Sequence, residues 1–96
     1  MNLLPEKFTS LEFEHTLIER IGNVAIYRRQ KGTARPHFEV IKVQSHGAGE
    51  RTFGGKTVQI EAGESYPTAA RWGTEGWTYT DLDEAHAKFM QLASAQ

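Results

Sequence analysis

The sequence predicts an α+β domain: an antiparallel sheet of four to five strands in meander order, with a C-terminal helix packed on one face. Three observations predict it. Leu82, Ala85, His86, Phe89, Leu92 and Ala93 fall on one stripe at helical spacing near the end of the chain. The turn dipeptide Gly22-Asn23 leads into the β-branched and aromatic run Val24-Ala25-Ile26-Tyr27. Phe38 to Val43 is the clearest strand pattern in the chain.

In chain order, residues 12–21 mix strand and helix signals, but the turn that follows them decides for a hairpin of 12–21 with 24–30. Lys31 to Pro36 reads as a loop punctuated by glycine and proline. In the next strand Phe38 and Val40 face one side while Ile41 and Val43 face the other. Either both faces are covered or a bulge switches the face partway along. Residues 45–57 hold Gly47, Gly49, Gly54 and Gly55 and read as a long loop or loose hairpin. Val58 and Ile60 alternate with Gln59 and Glu61 as a short strand. Pro67 to Trp72 reads as one helical turn stopped by Gly73, and Trp77-Thr78-Tyr79 has strand composition. Thr80 is the expected helix cap, with Asp83 as the capping-box acid. Asp81, Asp83 and Glu84 then crowd the first turn, where the helix dipole favours negative charge.

The chain has 96 residues, 39 % hydrophobic and 24 % charged. That is enough for one domain with a small core, residues 1–10 being either disordered or a short N-terminal segment. There is no cysteine, which excludes disulfides, thiolate chemistry and cysteine-based metal sites. Met-Asn-Leu-Leu-Pro-Glu-Lys lacks a basic region followed by a long apolar run, and no stretch approaches the ~20 apolar residues of a membrane span. A cytoplasmic protein without a membrane partner is expected.

The net charge of −1 hides a pattern. Residues 28–56 carry Arg28, Arg29, Lys31, Arg35, Lys42, Arg51 and Lys56 against only Glu39 and Glu50, while both flanking segments are net acidic. A basic middle is either an electrostatic footprint for an anion or a device that keeps strand edges and hairpin tips soluble.

Chemistry-bearing motifs are few. Gly55-Lys56-Thr57 ends like a phosphate loop, but the glycine five residues earlier is missing: Glu50 stands there, and Gly49 comes one residue too soon. The segment after Thr57 also alternates like a strand where that motif needs a helix N-terminus. His15, His37, His46 and His86 show no metal-ligand spacing, and none of Ser10, Ser45, Ser65 and Ser94 sits in a nucleophile elbow. The carboxylate pairs Glu61/Glu64 and Asp81/Asp83 are accounted for by a glycine turn and by helix capping. No catalytic residue, cofactor or metal is therefore expected, and the chain is not expected to be an enzyme.

The most informative group is Tyr66, Trp72, Trp77 and Tyr79 beside Arg71. It reads either as a patch for stacking bases or anchoring a protein partner, or as core under the terminal helix, the latter favoured by the area these rings bury.

The segment from Glu64 to Thr80, with its Tyr-Pro, Trp-Gly and Trp-x-Tyr elements, followed by Leu82, Ala85 and Phe89, resembles a family of small uncharacterised proteins of bacteria and their phages. That resemblance implies a fold and no activity. The same stretch also resembles the WGR domain, a nucleic-acid-binding module, with Thr74 standing where its arginine belongs.

Two functions are expected from these readings. The first is a non-catalytic module for protein–protein interaction, in the setting of a phage- or mobile-element-borne accessory protein. Its candidate binding residues are Arg71, Trp72, Trp77 and Tyr79, and its docking surface is the sheet face away from the helix or an open edge strand. The alternative is a nucleic-acid binder using the basic 28–56 segment, led by Arg28, Arg29, Lys31 and Arg35. A sheet with an uncovered edge also leaves homodimerisation open.

Overall fold

The computed structural model describes the backbone of residues 3–96 and all of their side chains except those of Arg51, Phe53 and Ile60. Five antiparallel strands form the sheet in the order β1-β2-β3-β4-β9, and helix α1 lies across one face. They are β1 (Lys7–Ser10), β2 (Phe13–Ile21), β3 (Val24–Gln30), β4 (His37–Lys42) and β9 (Gly76–Tyr79), with α1 at Leu82–Ala95. Between β4 and β9 the chain adds two short ladders: β5 (Gln44–His46) with β8 (Gly63–Ser65), and β6 (Gly49–Phe53) with β7 (Lys56–Ile60). A single 3-10 turn, Ala69–Arg71, precedes β9.

Alternation along β3 and β4 sends successive residues to opposite faces, and both faces are covered. Val24, Ile26 and Val40 pack with Ala85 and Phe89 of the helix, and Phe38, Tyr79 and Leu92 close that cluster. Ala25, Tyr27, Ile41 and Val43 form a second cluster on the opposite face, closed by Leu4, Phe8, Leu17, Tyr66 and Trp72. Both covered faces, rather than a bulge, account for the apolar residues that β4 sends to either side. The irregularity lies in β2, between Leu17 and Glu19.

The helix starts one residue later than the sequence suggests. Asp81, not Thr80, is the cap, its carboxylate accepting from the Asp83 backbone N–H at 2.8 Å. An extended Asp81 (φ −112°, ψ 124°) satisfies one of the first-turn N–H groups directly. Within the apolar stripe only Ala85 and Phe89 are fully buried, whereas Leu82 is 42 % exposed. The helix packs mainly on β3, β4 and β9, and its His86 Nε2 lies 3.6 Å from Glu19 of β2. At its far end the Gln96 carboxamide accepts from Asn23 N–H (2.9 Å) and donates to Ile21 C=O (3.0 Å), tying the helix to the β2–β3 turn.

The N-terminal segment is held to the second face. Arg20 donates two hydrogen bonds to Glu64, at 2.7 and 2.6 Å, and Leu4 N–H donates a third to the same carboxylate at 3.1 Å. Tyr27 O–H donates to Pro5 C=O at 2.7 Å. Residues 3–10 are thus the lining and edge of the second face, and Met1 and Asn2 lie outside the described residues. Among the described residues no helix is long and apolar enough to cross a membrane.

Candidate functional site

Strand parity divides the aromatic group found in the sequence. Register places Trp77 opposite Val40 and Tyr79 opposite Phe38, on the helix side, and Thr78 opposite Glu39, on the other. Trp77 is half-buried with Lys88 Nζ 4.4 Å from its ring centroid. Tyr66 and Trp72 enter from loops and cover the second face instead, their rings 6.3 Å apart and inclined by 22°. The expectation of one core under the helix therefore holds for Tyr79 but not for Tyr66 and Trp72.

On that second face a recess of about 330 Å³ opens between the β1–β2 turn and the 3-10 turn. Its rim and walls include Leu11, Phe13, Arg29, Tyr66, Trp72 and the exposed Thr78, and its floor holds His15 and Glu39. Glu39 is 5 % exposed and His15 6 %. A carboxylate buried so deeply requires partners, and four converge on it. Tyr66 O–H donates to Oε1 at 2.7 Å and Thr78 O–H to Oε2 at 3.4 Å, while His15 Nε2 lies 3.6 Å and Arg29 Nη1 3.8 Å away. Trp72 Nε1–H donates to Thr78 Oγ1 at 2.9 Å, so the indole is oriented through Thr78 toward the same carboxylate.

Packing fixes each of these groups. The His15 ring stacks on Phe8 across the β1–β2 pair at 4.4 Å and meets Tyr66 edge-on at 5.5 Å. The Arg29 guanidinium lies 3.7 Å from the Phe13 ring centroid. Gly76 leaves room for Trp72: a Cβ there would come within 2.6 Å of the indole ring. Burial, then the Glu39 charge, pushes the Tyr66 hydroxyl up, so it stays a donor. Burial also pulls His15 below its ordinary value, outweighing Glu39. The Phe13 carbonyl also favours the charged ring, yet no hydrogen bond of ordinary geometry reaches the buried Nδ1.

The basic residues do not share a face. Arg28 projects to the helix side, beside Phe38 and Leu82, and Arg29 to the recess. Lys31 Nζ lies 3.0 Å from Glu12, Arg35 is exposed in the β3–β4 loop, and Arg71 is exposed on the 3-10 turn. Lys42 sits at the base of the sheet and Lys56 at the tip of the β6–β7 hairpin, and the Arg51 side chain lies outside the described residues.

Sequence reading grouped Tyr66 with Trp72 but missed His15, Glu39 and Leu11 as members of the same site. Glu39 carried a signal: a lone acid among Phe38, Val40 and Ile41 on a strand covered on both sides must be partnered. Among the described residues no group of three or more His, Cys, Asp or Glu is placed to hold a metal ion. No family model, curated protein or solved structure matches the chain.

Proposed function

We propose that the chain is a non-catalytic protein-binding module that takes an apolar or aromatic side chain of its partner into the recess between Leu11, Phe13 and Trp72. The observation that carries this reading is Leu11. It is 88 % exposed and has φ 51°, and with Glu12 (φ 69°) it forms the two-residue turn between β1 and β2. Such turns favour Asn and Gly because both central residues are left-handed, and leucine is a poor occupant. An exposed leucine in a strained backbone gives the isolated domain nothing, but at the rim of an aromatic-walled recess it is placed to anchor a partner. The floor supports the same reading: Glu39 is engaged by Tyr66 and Thr78 and holds the walls in place.

Panning a random peptide display library against the domain tests this. Peptides are expected to be enriched and to lose about tenfold or more in affinity on Leu11→Asn, the size of an anchor residue's contribution. Asparagine tolerates positive φ, so the variant stays folded. No enrichment over a blank surface, or equal binding by Leu11→Asn, overturns the proposal.

A further inference from the structure

The two short ladders between β4 and β9 are one structure. The register that pairs Gln44 with Ser65 and His46 with Gly63 continues without a shift into Gly49 with Ile60 and Phe53 with Lys56. Residues 44–65 thus form a single long hairpin, interrupted only around 47–48 and 61–62. Its tip is Gly54-Gly55, with φ 53° and 83°, the left-handed pair a two-residue turn needs. Ten residues per arm reach ~33 Å, against a longest molecular dimension of 47 Å. Among the described residues the outer part of this hairpin has no extensive packing against another element, and a Cβ at Gly47, Gly49, Gly54 or Gly55 would meet nothing within 4 Å. Every outer position whose side chain is described, from Gly49 to Gln59, is exposed.

A free two-stranded ribbon is marginal in water, and each of its edges is a row of unpaired backbone groups. The two edges differ. Pairing β6 with its own copy about a two-fold axis at position 51 sets one arginine position directly against another, which is unfavourable. Pairing β7 with its own copy about Val58 sets Val58 against Val58, Thr57 against Gln59 of the second copy, and Lys56 against its Ile60. No like charges meet, and β7 holds no proline and only one charge, at its tip.

We propose that the β7 edge is a homodimer interface, two ribbons joining antiparallel about Val58 into a four-stranded sheet β6-β7-β7-β6. The dyad makes the contact isologous and closed, so it ends at two copies. It uses the outer ribbon and not the recess, so the dimer is expected to survive Leu11→Asn.

The proposal is tested by sedimentation velocity on the full chain, from about 10 μM to about 1 mM, a range suited to a weak interface. The wild type is expected to shift from monomer to dimer with concentration. Thr57→Lys/Gln59→Lys sets lysines against lysines across the dyad and is expected to weaken the dimer about tenfold. Within one chain these changes are tolerated, because position 59 faces Glu50 and position 57 faces Thr52. Thr57→Glu/Gln59→Lys makes the same two cross-dyad pairs attractive and is expected to dimerise at least as well as the wild type. A wild type that stays monomeric throughout, whatever else the ribbon binds, overturns the proposal. So does a dimer that the double-lysine variant forms equally well.

Discussion

The two faces of the five-stranded sheet are built from different chemistry on the same two central strands. On the helix side Val24, Ile26 and Val40 meet Ala85 and Phe89, and among the described residues no polar side chain is buried there. On the other side the cluster of Ala25, Tyr27, Ile41 and Val43 is continued by the buried polar residues His15 and Glu39, and is roofed by Tyr66 and Trp72. The dry face needs only volume and shape, whereas the mixed face needs every donor and acceptor matched. A small domain that places a buried carboxylate, a buried histidine and a strained leucine on one face concentrates its departures from ideal packing there, as functional surfaces do.

The largest expected effect breaks the dry face. Phe89→Ala removes the fully buried ring at its centre and is expected to cost ~3–5 kcal/mol. Against a total stability of ~5–15 kcal/mol the domain would be close to unfolding, which chemical denaturation followed by circular dichroism will read. On the mixed face, Tyr66→Phe deletes the shortest hydrogen bond to Glu39 and is expected to cost ~2 kcal/mol. Gly76→Ala drives a Cβ into Trp72 at a cost of ~1–3 kcal/mol. In a Trp77→Phe background, where Trp72 alone emits, it is expected to red-shift the fluorescence as the indole leaves its seat.

The hairpin of β2 with β3, the strand at 38–43 and the terminal helix were legible because periodicity and turn chemistry are local. The division of the faces was not. Trp77 and Tyr79 follow from strand parity once β9 is placed, but Trp72 precedes that strand on a loop that crosses to the opposite side, and no local rule fixes such a crossing. The convergence of His15, Glu39 and Tyr66 joins three distant segments, beyond any spacing argument. The long hairpin was legible in principle: Gly54-Gly55 centres a turn whose outward pairing leads to Gln44 and Ser65. Residues 45–57 were read as a long loop or a loose hairpin, and their glycine content hid which of the two holds and how far the pairing extends.

Solution pH sharpens the comparison with smaller effects, all on the mixed face. Burial lowers His15, so the unfolded chain takes up a proton first, and stability is expected to fall as pH drops below 6.5, until the folded histidine also titrates. Arg20 and the Leu4 N–H hold Glu64 down at about 2, so its contribution is complete above 4.5 and lost as pH falls toward 2. His15→Gln is expected to flatten the first decline and Glu64→Gln the second, in urea titrations across that range. At the alkaline end the raised Tyr66 works in the opposite sense: the unfolded tyrosine ionises near 10 while the folded one does not, so stability is expected to fall above that pH. The smallest effect is Leu11→Asn, expected to raise stability by up to ~1 kcal/mol by relieving the left-handed leucine, seen as a higher Tm.

The most direct test of the division of labour between the faces is chemical-shift mapping of a panned peptide on the isotope-labelled domain. Perturbations are expected at Leu11, Phe13, Arg29 and the Trp72 indole N–H, with Trp77 and Met90 on the helix side unmoved. Perturbations centred on Trp77, Lys88 and Met90, with the recess silent, would contradict that division.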